Sequence, residues 1–343
     1  MVRIGLVGIG FMGRIHFLAS AGLRGAKVAA ICSRDAAKLR GDWTSTRGNF
    51  GPEPGHVDLE GIRAYSELSA MLADPEIDLI DVCTPNHLHA DIVVAALNAG
   101  KHVLVEKAIA LTVADADRML EAARLNDRLL MVAHVLPFFA EFAFAWNSVR
   151  GGAMGRLLGG HFKRIISRPD WSAEMADDSK SGGPAVDLHI HDTHFIGLLA
   201  GVPSAVFSSG IVENDAVVHL TTSYIYPGGS PALTCSSGAL AMKARPFTHG
   251  YELYLERATL VYEAGVQPLT ILNDDGTSTL ADLSEYHADP VAAFTAELQA
   301  AADGVSAGRM PTLLSGQLAR DALAMCLSEC DSVRSGEVVS IED

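Results

Sequence analysis

Residues 1–13 read MVRIGLVGIGFMG. Val2, Ile4, Leu6 and Val7 make a short, nearly unbroken apolar run, the pattern of a strand buried on both faces. It runs directly into Gly8-Ile9-Gly10-Phe11-Met12-Gly13, and a helical pattern opens at Arg14. A lone G-x-G-x-x-G is a weak signal. Between a strand and a helix it becomes the turn on which a dinucleotide diphosphate rests. Gly8 permits the tight turn, Gly10 lets backbone approach the diphosphate, and Gly13 lets helix and strand pack closely. With Phe11 and Met12 they form a candidate cofactor-binding loop whose unpaired N–H groups favour an anion.

Working outward, residues 27–32 (KVAAIC) read as a second strand, followed by Ser33-Arg34-Asp35. An acidic residue about 20 positions past the glycine loop would bind the ribose hydroxyls and select NAD. That position is Ser33, and a serine beside an arginine accepts a 2′-phosphate that a carboxylate repels. The expected cofactor is therefore NADP(H). NAD(H) stays open if Asp35 takes the ribose role in a slightly shifted turn.

Residues 41–61 are polar and bear glycine and proline, and read as a surface loop near the adenosine end. Strand and helix patterns then alternate: strands at 62–65, 77–83, 101–105 and 129–133, helices at 66–72, 91–99 and 112–126. Such alternation is that of a doubly wound parallel sheet, so residues 1–133 are expected to form a dinucleotide-binding Rossmann domain. Past a helix at 138–149 the pattern turns strand-rich, with runs at 156–166, 205–212, 217–225, 233–240, 251–256 and 258–263 and a helical segment at 186–199. Residues 134–343 are thus expected to be an α+β domain on an open, mainly antiparallel sheet. It ends in helices at 290–302 and 314–332, which can pack back on the first domain, with an edge strand at 337–341.

At 343 residues the chain can bury two cores, and it is 49% hydrophobic and 20% charged. A net charge of −15 argues against nucleic acid and against anionic membrane surfaces as partners. No apolar run approaches the roughly 18 residues of a membrane helix. Five scattered cysteines, Cys32, Cys83, Cys235, Cys326 and Cys330, complete no zinc spacing. With a strand beginning at residue 2 and no export signal, the expected location is the cytoplasm.

Two further groups can carry chemistry. Glu106-Lys107 ends a predicted strand, where ligands of parallel sheets sit, and the Lys107 charge there suits a developing alkoxide. The segment 182–194 (GGPAVDLHIHDTH) places Asp187 and His191 at i and i+4, with His194 a turn further on. A carboxylate beside an imidazole suits a proton acceptor working near neutral pH.

The order VGIGFMG, CTPNHLH, VEK and G-G-x-x-x-D-x-x-x-H resembles the glucose–fructose oxidoreductase / inositol dehydrogenase / rhizopine-catabolism (Gfo/Idh/MocA) family. The resemblance covers nearly the whole chain. It implies NAD(P)-dependent oxidation or reduction of a sugar, polyol or related carbinol, and assembly through the C-terminal sheet into homodimers or homotetramers. By motif it makes Lys107, Asp187 and His191 catalytic, His191 being the general acid/base, and it places Thr84, Asn86, His89 and Glu106 on positions that line the cofactor. Two positions depart from the family. Ala108 stands where the family has a proline that favours a cis peptide bond, which leaves the aim of Lys107 open, and His194 stands where a second carboxylate is usual. Arg168, Trp171 and His194 are candidate substrate contacts.

Other readings remain. Lys107 could be a solvated charge, and Asp187–His191 a structural pair. The chain could be a cofactor-binding regulator without catalysis. The cluster of His189, His191, His194, Asp187 and Asp192 could serve a metal-dependent hydrolase or lyase, although His189 would point away from His191 on a helix. No metal is expected.

Overall fold

The computed structural model describes all residues except 49, 169–177, 287–289 and 342–343. The chain divides into two compact units, Met1–Phe138 with Ala288–Ala319, and Phe139–His287 with Arg320–Asp343.

The first unit alternates as the sequence predicts: β1 (Val2–Val7), α1 (Phe11–Ala19), β2 (Ala26–Cys32), β3 (Arg63–Tyr65), α2 (Leu68–Leu72), β4 (Leu79–Val82), α3 (His89–Asn98), β5 (His102–Glu106), α4 (Val113–Asn126) and β6 (Leu130–Ala133). The strands pair in parallel in the order β3-β2-β1-β4-β5-β6. Strand order reverses beside β1, so its carboxyl end and that of β4 flank the crevice where such sheets take ligands. All four residues of β4 and β6 are buried, because helices cover both faces. Thr112 caps α4, its hydroxyl oxygen accepting from the Asp115 N–H at 3.1 Å.

The polar stretch 41–61 is irregular, as expected of a loop, yet it is docked. Trp43 is fully buried, edge-on to Phe17 at 4.8 Å, and its indole N–H donates to the Lys38 carbonyl. Phe50 lies 4.8 Å from Phe11 and stacks at 5.6 Å on Phe294, while Arg14 donates to the Pro52 carbonyl at 2.6 Å.

The second unit holds α5 (Ala140–Gly151), β7 (Leu157–Ser167), α6 (Asp178–Ser181), α7 (Pro184–Asp187), α8 (Ile190–Ala200), β8 (Ala205–Glu213), β9 (Ala216–Ile225), β10 (Ala232–Ala241), β11 (Thr248–Leu255), β12 (Ala258–Glu263), β13 (Gln267–Asn273) and β14 (Ser278–Leu280). The chain then enters α9 (Pro290–Ala307), which packs on α1 in the first unit, and ends in α10 (Gly316–Ser335) and β15 (Val339–Ser340). The second sheet runs β14-β13-β12-β11-β7-β10-β9-β8-β15 and is antiparallel except between β7 and β10. One face is packed by aromatic side chains of α5 and α8, Phe142 meeting Phe195 at 5.1 Å and Tyr251 at 5.2 Å. The helix expected over 186–199 is split into α7 and α8. At the break the His189 N–H reaches the Pro184 carbonyl at 3.1 Å, an i→i−5 contact that widens the turn. Asp187 and His191 therefore do not share one regular helix.

Candidate active site

The glycine loop needs its glycines for space. Gly8 has φ +93°, and a Cβ there would lie 2.7 Å from the Cys83 carbonyl oxygen. A Cβ on Gly13 would lie 2.0 Å from the Gly8 carbonyl oxygen, so this residue sets how closely α1 meets the loop. Beside Gly10 the space is open, and α1 starts there with no side-chain cap and no acidic residue in its first turn. Its unpaired N–H groups and the dipole's positive end are left for an anion, which fits a dinucleotide diphosphate.

At the end of β2, Ser33 bonds through its N–H to the Tyr65 carbonyl, and its hydroxyl accepts from the Asp35 N–H at 3.2 Å. One Asp35 carboxylate oxygen is engaged by the Ala37 N–H at 2.8 Å, while Arg34 is exposed. After β4, Thr84 and Asn86 are half-buried. His89 is fully buried; its ring nitrogens contact the carbonyls of Ala108 (2.9 Å) and Thr84 (2.8 Å), bracing two strand-end loops from behind. Burial lowers its pKa. At the end of β5, Glu106 is buried and accepts from the Lys107 N–H at 3.1 Å; Lys107 is half-buried and the Lys107–Ala108 peptide is cis. Gly8, Gly10, Phe11, Met12, Gly13, Ser33, Arg34, Thr84, Asn86, His89, Glu106 and Lys107 thus all lie in one unit, at or just beyond the carboxyl ends of adjacent strands.

Asp187, His191 and His194 belong to the second unit. Asp187 and His191 are half-buried, whereas His189 and His194 are completely enclosed. His189 pairs with Glu329 of α10, and Asp192 receives two guanidinium bonds from Arg164, at 2.7 and 3.0 Å. His189, Asp192 and Cys235 offer three ligand atoms within 4.8 Å of one another, but the first two are spent on these ion pairs and Arg164 places a cation at the spot. Arg168 is exposed and lies 3.4 Å from Glu213. Trp171 lies outside the described residues.

Burial drives the His194 pKa down to about 3. With a folded pKa below the unfolded value near 6.5, this ring stabilises the fold above pH 6.5, and that contribution drains away as pH falls toward 3. Urea midpoints of wild type and His194→Gln should diverge over this window. The wild type is expected to lose about 1.4 kcal/mol per pH unit that the variant does not.

Motif reading missed four buried groups beneath the glycine loop: His16, Asp81, Cys83 and Glu297. The one sequence signal was a charged Asp81 inside the apolar run IDLIDVC.

A doubly wound sheet with an open glycine loop at its carboxyl end, in one chain with an open antiparallel sheet, is the architecture of a Rossmann-type fold suited to a dinucleotide. Residues 2–134 match the Gfo/Idh/MocA family model, described as oxidoreductase family, NAD-binding Rossmann fold, and the chain's relatives include named dehydrogenases and reductases. Myo-inositol 2-dehydrogenase of Thermotoga maritima is 26% identical, the alignment covering 100% of this chain and 99% of that one. Levoglucosan dehydrogenase of Pseudarthrobacter phenanthrenivorans is 32% identical over 50% of this chain and 42% of its own. Among solved structures, levoglucosan dehydrogenase in complex with NADH and levoglucosan superposes with TM-score 0.83 at 20% identity over 100% of both chains. An Agrobacterium radiobacter oxidoreductase in complex with NAD+, L-tartaric acid and magnesium gives 0.82 at 21%, over 99% of this chain and 98% of that one. These likenesses confirm the fold.

Proposed function

We propose that the protein is an NADP(H)-preferring oxidoreductase acting on a CH–OH carbon of a sugar, polyol or related carbinol. The observation that carries this is the open glycine loop standing in one unit with Glu106-Lys107, at the carboxyl ends of strands close together in the sheet. The Gly8–Gly13 loop would hold the diphosphate, Ser33 and Arg34 the 2′-phosphate, and Thr84, Asn86 and Glu106 the nicotinamide end, with His89 bracing them. The bound cofactor supplies the hydride acceptor or donor. Lys107 hydrogen-bonds the substrate oxygen and its charge counters the growing alkoxide. His191 accepts the hydroxyl proton, and Asp187 favours the resulting imidazolium. Relatives named as dehydrogenases of myo-inositol and levoglucosan support a polyhydroxylated substrate.

The preference for NADP(H) rests on Ser33, on the exposed Arg34 and on Asp35, which already serves its own turn. NAD(H) is the second reading, favoured by the NADH and NAD+ held in similar solved structures. Fluorescence titration with NADPH and NADH decides between them. NADPH is expected to bind more tightly, and Arg34→Ala to erase about tenfold or more of that preference, the loss of one charge-assisted contact. Tighter NADH binding would reverse the cofactor assignment and leave the enzyme class standing.

The same reading puts the enzyme in the cytoplasm as a homodimer or homotetramer. Among the described residues no helix is long and apolar enough to cross a membrane. Phe207, Ile211, Ile225, Tyr254 and Leu272 are exposed on strands of the open sheet, a surface suited to a second copy.

A further inference from the structure

Beneath the glycine loop the first unit encloses ionisable groups from four elements. His16 (α1), Asp81 (β4) and Glu297 (α9) are at most 1% exposed, with Glu106 at the end of β5 and Cys83 just past β4. His16 Nδ1 lies 2.9 and 3.1 Å from the two Asp81 oxygens, and Nε2 lies 3.0 Å from Glu106 Oε1. The second contact is at ion-pair distance without the alignment of a hydrogen bond. The Cys83 sulfur is 3.4 Å from Nδ1. Each ring nitrogen thus faces a carboxylate, and a neutral imidazole has only one N–H to offer. Burial works against the charge, but Asp81 and Cys83 outweigh it and the His16 pKa is raised well above 6.5. Glu297 has no hydrogen-bond partner for either oxygen among the described residues. Burial, with Glu106 and Asp81 nearby, pushes its pKa well up, which favours the uncharged acid.

We propose that His16 is a positioning residue: as an imidazolium anchored by Asp81, it holds the Glu106 carboxylate in place, and through Glu106 the main chain of Lys107. The link continues through Glu106 Oε2, which accepts from the Lys107 N–H at 3.1 Å, while His89 holds the Ala108 carbonyl on the other side. Without the imidazolium, Asp81 and Glu106 would face each other and Glu297 in a space closed to water. Like charges so placed repel, and Glu106 would lose the contact that fixes its carboxylate beside the Lys107 N–H. The consequence for catalysis rests on the role proposed for Lys107; the ion-pair chain itself does not.

Two readouts on the full chain separate these levels. In protein labelled with 15N-histidine, the ring signal lost in His16→Gln should be that of an imidazolium at about pH 7, and in Glu106→Gln its midpoint should fall by about a unit or more. Should His16→Gln fail to fold, the ring is recognised as the histidine whose midpoint moves in Glu106→Gln. A neutral His16 ring near pH 7, or an unmoved midpoint, overturns the proposal. So does a stoichiometric metal in the purified protein, bound through the His16, Asp81 and Cys83 ligand atoms that lie within 4.8 Å of one another.

The second readout is NADPH affinity against pH. His16→Gln is expected to lose about tenfold or more between pH 8 and pH 6, where wild type changes less than about twofold, because the enclosed carboxylate cluster, deprived of its counter-charge, takes up a proton as a set. An equal loss at every pH would mark a merely structural histidine and overturn the positioning role. If wild type binds neither NADPH nor NADH, the dinucleotide reading fails, while the ring-proton result still stands or falls by itself.

Discussion

Lys107→Ala is expected to lower kcat by about 10²–10³-fold and His191→Ala by about 10²–10⁴-fold, each with NADPH affinity within a few-fold of wild type. Lys107 is asked to stabilise charge on the substrate oxygen, a task that exists mainly in the transition state, so its loss falls on kcat more than on KM. His191 is asked to take the proton. Its loss should be partly recovered by added imidazole. Both side chains are half-buried, so truncation opens no core cavity and the melting temperature should hold. If the two groups act on one hydroxyl, the double variant will be little slower than the slower single one. Steady-state rates on the best alcohol from a sugar and polyol panel provide the check. Turnover within about threefold of wild type in either single variant would remove that residue from the mechanism.

The second large effect is on stability. Glu329→Ala is expected to cost about 3–5 kcal/mol, because it strands the charge of His189 in the core of the second unit. His189 is fully enclosed. Burial opposes its charge, yet Glu329 raises its pKa above 6.5, with the Tyr224 hydroxyl 3.5 Å from the ring. The sign follows. A raised folded pKa contributes stability that is fully present below the unfolded pKa near 6.5 and is lost as pH rises through the folded value. In Glu329→Ala the ring has lost its counter-charge, and its pKa should fall below 6.5. The penalty will therefore be greatest in mildly acidic buffer and shrink toward pH 8, where the ring is neutral in the variant. Replacing both residues, His189→Leu with Glu329→Met, should recover most of the loss, since well-packed apolar groups match a buried ion pair. Urea denaturation at pH 6 and pH 8 provides the test.

Sequence reached the two-part architecture because the elements that define it carry strong local patterns. A strand buried on both faces, a glycine turn and a capped helix each announce themselves within ten residues or so. The strands β13 and β14 did not: β14 is a three-residue edge strand with every residue exposed, and β13 beside it carries Gln267, Pro268 and Asn273 at its ends. The split at Leu188–His189 was also illegible. Both residues keep right-handed helical φ/ψ, and only the hydrogen-bond register changes. The cluster around His16 is invisible for another reason. Its members come from positions 16, 81, 83, 106 and 297, and no spacing rule connects them. Helical periodicity marks α9 as a helix, but not the unit it joins.

The burial of Trp43 has an optical consequence. Of the three tryptophans, Trp43 falls in the first unit and Trp146 in the second, while Trp171 lies outside the described residues. Sealed from water and edge-on to Phe17, its indole should emit toward the blue, and the shift to red on unfolding reports the state of the nucleotide unit. With Trp146 and Trp171 changed to phenylalanine, the chain would carry its own probe of whether the two units melt together or in sequence.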